Sequence, residues 1–109
     1  MNKAELVEEL YWESDLNKQE CREMVGLVVD KIAETVAKGE DVKLVDFGTF
    51  KPSPRKSTSK VHPVTGEHIN VPAKVVPKFD PGKGFNELVE ENLEPVENGS
   101  GELEVKLDK

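Results

Sequence analysis

The apolar residues of the first forty positions recur with the period of an α-helix, in two separate runs. The first run predicts a helix over residues 3–13, with Asn2 as its N-cap, and the second predicts a helix over residues 18–38, capped by Asn17. The longer stripe consists of Cys21, Met24, Val25, Val28, Val29, Ile32, Ala33 and Val36. The short connection between the runs makes the pair an αα-hairpin, whose apolar faces require a cover.

The pattern changes to short β-prone segments after Gly39. Residues 41–45 and 49–51 are predicted as strands joined by a turn. From about residue 52 to 77 the chain has the pattern of an extended two-stranded arm that reverses at Pro63-Val64-Thr65-Gly66. Four prolines should make this arm edge-like or bulged and interrupt its pairing: Pro52, Pro54, Pro72 and Pro77.

One more helix is predicted near the end of the chain, over residues 83–92. Residues 92–109 are acidic and rich in turn formers, which predicts a disordered tail. Leu103, Val105 and Leu107 alternate with charged residues, so a transient strand is the alternative for that part of the tail.

Length and composition favour a homodimer. The chain has 109 residues, of which 36% are hydrophobic. If the arm and the tail add little to the core, about 80 residues remain to build it, which is marginal for a monomer. A single cysteine, Cys21, excludes an internal disulfide and is predicted to be a buried thiol. Without an apolar run of about 20 residues or a signal-like start, we expect a soluble intracellular protein without membrane association.

Charge is distributed in three blocks. Residues 1–50 contain 6 Lys/Arg and 12 Asp/Glu, residues 51–85 contain 7 and 2, and residues 86–109 contain 2 and 8. A basic block between two acidic ones is typical of a local polyanion-binding surface. The alternative is a solvated hairpin whose lysines only keep it soluble.

Several motifs together resemble the bacterial HU/IHF family of histone-like, nucleoid-associated DNA-binding proteins. They are the start MNKAELVEEL, the block KLVDFGTF at residues 43–50, Arg55, the tip PVTG at residues 63–66, and PKFDPGK at residues 77–83. The resemblance covers about residues 1–91. It implies an α+β fold in which a helical base, an antiparallel β-saddle and extended β-arms form an intertwined homodimer.

The resemblance also implies a function and a set of site residues. The family bends double-stranded DNA through its minor groove, with a proline at each arm tip as a wedge; Pro63 matches that proline, and a simple turn former is its alternative role. The DNA contacts expected here are Lys51, Arg55, Lys56, Lys60, His62, Pro63, Lys74, Lys78 and Lys83. Binding of this kind is electrostatic, salt-sensitive and without sequence preference.

The arm departs from the family pattern at three positions. Thr58, Val61 and His62 stand where the family has arginines and an Arg-Asn pair before the tip proline, which should weaken binding. The second interpretation is therefore a dimer of the same fold that has weak or no DNA binding and acts as an acidic protein-interaction module. A third is that the acidic tail folds back on the basic arms and competes with DNA.

No motif of an enzyme is present in the sequence. It contains no phosphate-binding glycine loop and no nucleophile elbow. His62 and His68 flank the turn, but a metal site there would need further ligands. We therefore expect no catalytic residues, no metal, no cofactor and no small-molecule substrate. The family resemblance implies a cytoplasmic, nucleoid-associated location.

Overall fold

A computed structural model describes residues 1–107 of the chain. It divides them into two compact units, residues 1–40 and the residues from Asp41 onward. The first unit contains α1 (Lys3–Glu13) and α2 (Lys18–Ala37). Both predicted helices are confirmed, with α2 one residue shorter than expected.

Capping fixes where the two helices begin. The side chain of Asn2 accepts a hydrogen bond from the backbone N–H of Glu5 at 2.9 Å. Asn17 and Glu20 form a complete capping box, in which each side chain accepts from the other's backbone N–H. These bonds satisfy N–H groups that the first helical turn leaves without partners. The sequence therefore specifies both starts locally.

The helical unit buries little by itself. Only Val7 and Cys21 are buried among the hydrophobic residues, and Cys21, at 2% exposure, is confirmed as a buried thiol. The apolar stripe of α2 stays open, with Met24 53% and Val29 57% exposed. Two buried side chains are too few to offset the conformational entropy that folding costs. An exposed apolar stripe of this kind requires a partner surface, which the predicted homodimer would provide.

The second unit begins with a three-stranded antiparallel sheet and its extension. Strands β1 (Val42–Leu44), β2 (Gly48–Arg55) and β5 (Lys74–Pro81) lie in the order β1-β2-β5. The outer hairpin consists of β3 (Thr58–Val61) and β4 (His68–Val71). The β2–β5 and β3–β4 pairs keep one continuous register along the arm. Gly48 is opposite Pro81 at its base, and Val61 is opposite His68 near its tip.

The prolines affect pairing differently from the expectation. Pro52 lies directly opposite Pro77 within continuous pairing, so the predicted interruption at Pro77 is wrong, as is a bulge at Pro52 and Pro54. Neither member of that pair can donate, so the two occupy a position where neither N–H faces the other strand. Pro54 lies two residues further along β2, so its missing N–H would also have pointed away from β5. The pairing stops instead at residues 56–57 and 72–73, where Pro72 lacks an N–H.

An aromatic cluster joins the sheet to α3 (Lys83–Asn92), a helix predicted with these bounds. The cluster consists of Phe47, Phe50, Phe79 and Phe85, in which the centroids of contacting rings are 4.6–6.5 Å apart. The turn before β2 also bonds to the helix start, since Phe85 donates its N–H to the carbonyl of Asp46 at 3.0 Å. These contacts hold the base of the arm against α3.

The predicted disorder of residues 92–109 is wrong for most of the segment. Strands β6 (Leu93–Glu97) and β7 (Leu103–Leu107) form an antiparallel hairpin, with Leu93 opposite Leu107. The side chain of Asn98 accepts from the N–H groups of Ser100 and Glu102 and so orders the turn. The alternation of Leu103, Val105 and Leu107 was therefore the stronger signal. Residues 108 and 109, which that prediction included, lie outside the described residues.

Candidate nucleic-acid interface

Four of the predicted DNA contacts lie on one face of the inner arm. In the pairing of β2 with β5, Lys51 is opposite Lys78 and Arg55 is opposite Lys74. Directly paired residues share a face, and so do residues two apart along a strand. All four cations therefore project from the same face, with the two pairs about 13 Å apart along the strands. We call these four residues the basic face.

The opposite side of the same two strands is apolar. It carries the pairs Phe50 with Phe79, Pro52 with Pro77 and Pro54 with Val75. The phenylalanines belong to the aromatic cluster, with centroids 4.6 Å apart. The inner arm is thus two-sided: one side is apolar, and the other presents cations. The alternation that makes a strand amphipathic is what gathers the cations.

Asp80 adds an acidic group to the basic face. Its carboxylate lies 2.6 Å from the ammonium of Lys51 and 3.6 Å from that of Lys78. The hydrogen bond from Lys51 is the main cause that holds the pKa of Asp80 below its ordinary value, with attraction to Lys51 and Lys78 adding to it. The same hydrogen bond raises the pKa of Lys51. Sequence reasoning missed this role of Asp80, although the spacing of residues 78 and 80 places both side chains on one face.

Two more predicted contacts lie in the outer half of the arm. Lys56 falls in the interruption of the pairing, and Lys60 lies in β3 opposite Ile69. Both side chains are exposed. The positions that depart from the family pattern, Thr58 and Val61, are exposed strand residues in the same hairpin. The outer arm thus carries less charge than the inner arm.

The arm tip is ordered by His62. Its Nδ1 accepts hydrogen bonds from the N–H groups of Val64 and Thr65, both at 3.2 Å, and its carbonyl accepts from Gly66 at 3.0 Å. Gly66 has a φ of 73°, so the predicted positive φ is confirmed. Pro63 and Val64 stand exposed at the end of the arm. The structure thus gives His62, predicted as a DNA contact, a clear structural role in holding the turn.

Lys83 lies away from the basic face, in the first turn of α3. Its side chain is 89% exposed, and its ammonium lies 3.9 Å from the carboxylate of Glu87, one helical turn later. An exposed pair of this length contributes little to stability. Lys83 is therefore available to an external anion at small cost.

A second group of cations, which sequence reasoning missed, lies in the helical unit. Lys3, Lys18 and Arg22 line a shallow pocket of about 420 Å³ between α1 and α2. Glu8 lies in the same pocket and pairs with Lys18 at 3.2 Å. The available signal was the four-residue spacing of Lys18 and Arg22, which places them on one face of a helix.

Residues 1–107 contain neither of two further kinds of site. Over that range, no group of three or more His, Cys, Asp or Glu side chains is arranged to hold a metal ion. Of the helices in the described part of the chain, none combines the length and the apolar character needed to cross a membrane. The charged surfaces of the arm and of the helical pocket remain as the candidate sites.

Comparisons with known proteins agree with this geometry. A family model described as "Bacterial DNA-binding protein" matches residues 1–90. DNA-binding protein HU of Geobacillus stearothermophilus is 38% identical over 89 residues, which are 82% of this chain and 99% of the relative. DNA-binding protein HU of Clostridium pasteurianum is 39% identical over 89 residues, 82% of this chain and 98% of the relative.

Solved structures show the same likeness. The HU chain in an Anabaena HU–DNA cocrystal structure superposes with a TM-score of 0.77 at 36% identity, covering 82% of this chain and 97% of that one. A Thermotoga maritima HU mutant gives a TM-score of 0.61 at 30% identity, covering 82% of this chain and 99% of its own. The family match ends before the hairpin of β6 and β7.

Proposed function

Because the chain belongs to the family of bacterial DNA-binding proteins, we propose that it acts as an architectural protein that binds duplex DNA as a homodimer. The observation that carries this proposal is the basic face. Lys51, Arg55, Lys74 and Lys78 project from one side of a two-stranded arm in a chain whose net charge is −7. Cations gathered on one surface of an acidic protein serve a local anionic partner.

The inner arm is suited to the backbone of DNA and not to its bases. Its cations are mostly lysines on a regular ladder, and neighbouring positions of the same face are Ser53 and Val76. Such a surface neutralises phosphates without a donor and acceptor pattern that distinguishes base pairs. Binding is therefore non-specific in sequence and steeply dependent on salt.

Pro63 is the element proposed to deform the duplex. It stands exposed at the arm tip, and the hydrogen bonds of His62 hold the turn that carries it. A rigid apolar ring that enters a base step unstacks it and kinks the duplex, while cations along the arm hold the flanking phosphates. His62 then supports the wedge from within the turn, and Lys56 and Lys60 extend the cationic track toward it.

The proposal includes where and how the protein acts. An architectural role consists of binding and bending, so no catalytic step is assigned to any residue. With chromosomal DNA as the proposed partner, the proposed location is the cytoplasm, at the nucleoid. Lys83 and the pocket formed by Lys3, Lys18 and Arg22 are offered as additional phosphate contacts outside the arm.

The test compares two double variants by fluorescence anisotropy of a labelled random-sequence duplex. Arg55→Ala with Lys74→Ala removes the outer pair of the basic face. Lys31→Ala with Lys38→Ala removes the same charge from the C-terminal half of α2 and from the residue that follows it. Because the first double variant takes two arm cations from each protomer of the dimer, the slope of log K against log salt should become shallower by about 3 to 4. The control pair should change it much less. Equal effects of the two double variants would overturn the assignment of the basic face.

The hairpin of β6 and β7 favours a second candidate function, an acidic interaction module. It lies outside the family match and exposes Leu103, Val105 and Leu107 on one side of β7. The same titration separates the candidates, because an interaction module that has lost DNA binding gives no anisotropy change at low salt. Competition between the acidic tail and DNA stays a prediction: removal of residues 93–109 should tighten binding, and unchanged affinity at low salt would contradict it.

A further inference from the structure

The Lys51–Lys78 pair is an unfavourable arrangement without a third group. The two residues are directly opposite in the β2–β5 ladder, so their side chains share a face as near neighbours. Like charges placed this way repel and destabilise the sheet. The other cation pair of the basic face, Arg55 and Lys74, lies at the opposite end of the β2–β5 ladder from Asp80. No acidic side chain is next to this pair in the ladder.

Asp80 provides that third group from the adjacent position of the same face. It is two residues beyond Lys78 on β5 and is paired with Thr49, two residues before Lys51 on β2. From there its two oxygens reach different cations: Oδ2 lies 2.6 Å from Nζ of Lys51, and Oδ1 lies 3.6 Å from Nζ of Lys78. One carboxylate thus bridges both lysines, as a phosphate group would.

We propose that Asp80 is an internal competitor for DNA phosphate, which holds Lys51 and Lys78 and so sets the affinity of the inner arm. This inference rests on the proposed DNA-binding function. A duplex that reaches Lys51 and Lys78 either displaces the Asp80 carboxylate or leaves both lysines bound to that carboxylate. Arg55 and Lys74 carry no such restraint and engage phosphate first.

The exchange is feasible because the ion pairs are open to solvent. The side chains of Lys51, Lys78 and Asp80 are 37%, 55% and 42% exposed. Exposed ion pairs are weak and are screened by salt, so a phosphate can replace the carboxylate without breaking a buried network. Asp80 therefore weakens binding by a moderate factor and does not abolish it.

The test is a double-mutant cycle on the whole chain, read by fluorescence anisotropy with a labelled random-sequence duplex at low salt. Asp80→Asn keeps the size of the side chain and removes its charge. Glu91→Gln on α3 removes the same charge without touching the basic face and serves as the matched control. Releasing two lysines from exposed ion pairs should tighten binding about threefold to tenfold beyond the control. The salt slope should steepen by about 2 to 4 per dimer, as more phosphates are neutralised.

The cycle is completed by Asp80→Asn in a chain that already carries Lys51→Ala and Lys78→Ala. If Asp80 acts through the two lysines, its replacement in that background gives no gain beyond that of Glu91→Gln. A gain that persists in this background would mean that Asp80 simply repels DNA, and it would overturn the inference. Asp80→Ser, with thermal unfolding measured alongside, repeats the test if the asparagine variant folds poorly.

The outcomes separate this inference from the function on which it rests. Wild-type binding at low salt with no gain in Asp80→Asn over Glu91→Gln overturns the role of Asp80 and leaves the DNA-binding function intact. If neither the wild type nor Asp80→Asn binds at low salt, both the function and the inference are overturned. A gain that disappears without Lys51 and Lys78 supports both.

Discussion

The rings of Phe47 and Phe85 stack, with centroids 5.0 Å apart and an angle of 8° between their planes. This contact joins the turn before β2 to the first turn of α3. It is reinforced by the hydrogen bond from the N–H of Phe85 to the carbonyl of Asp46. Gly82 caps α3 without a side-chain hydrogen bond, so the stacked pair and this backbone bond hold the helix start in its place.

Replacing Phe85 with alanine should lower the free energy of unfolding by about 2 kcal/mol, because the variant lacks a half-buried aromatic ring and its stacking on Phe47. Urea unfolding followed by circular dichroism measures the change. Leu88→Ala is the control on the same helix, since Leu88 is 60% exposed. A loss of stability for Phe85→Ala no larger than for Leu88→Ala would contradict the role of the stacked pair.

A side chain at residue 48 is expected to destabilise the sheet. A Cβ at this position would lie 2.6 Å from the carbonyl oxygen of Asp80 and 2.6 Å from ring atoms of Phe79. Relieving such contacts requires the paired strands to shift, at a cost of about 1–3 kcal/mol for Gly48→Ala. Gly99→Ala is the control, because no atom lies within 4 Å of its added Cβ. Similar unfolding midpoints for both variants would contradict this packing.

The turn at the arm tip should depend on the acceptor at residue 62. His62→Ala removes the Nδ1 that receives the N–H groups of Val64 and Thr65, while His62→Asn supplies a side-chain oxygen in its place. Losing one such bond should speed amide hydrogen exchange at these positions about fivefold. NMR measures the exchange rates. Equal protection of these amides in the alanine and asparagine variants would contradict this role of His62.

The Lys51–Asp80 pair should make stability depend on pH at both extremes. The pKa of Asp80 is lowered by Lys51 and Lys78, so its contribution is present above the ordinary value of about 3.9 and is lost as pH falls through the lowered one. The pKa of Lys51 is raised by Asp80, with Asp41 adding to it, so that contribution is lost as pH rises above about 10.4.

The measurement is the difference in unfolding midpoint between the wild type and Asp80→Asn across pH. It should be constant from about pH 5 to 9 and shrink outside that window. A difference that persists unchanged at about pH 2 would show that Asp80 stabilises the sheet as a neutral group.

The sequence predicted the local elements well because their causes are local. Asn2 and Asn17 cap the helices through bonds within three residues, and Gly66 provides the positive φ of the tip turn. The hairpin at residues 93–107 was missed as an ordered element because acidic composition obscured the alternation of Leu103, Val105 and Leu107. Its order depends on cross-strand pairing and on Asn98 in the turn.

The candidate site was predictable as a list of cations but not as an arrangement. Which cations share a face depends on the register of β2 with β5, and that register pairs residues far apart in the chain. The position of Asp80 between Lys51 and Lys78 also depends on this register. The pairing of Pro52 with Pro77 could not be foreseen either, because a proline's tolerance depends on the direction its missing N–H would have faced.

The salt dependence of DNA binding by the wild-type chain tests the central claim most directly. Fluorescence anisotropy of a labelled random-sequence duplex gives the dissociation constant at each salt concentration. Arg55 and Lys74 alone supply four arm cations per dimer that Asp80 does not hold, so log K should fall against log salt with a slope of about −3.6 or steeper. No binding at low salt, or a slope shallower than about −1, would contradict a basic arm that neutralises phosphates.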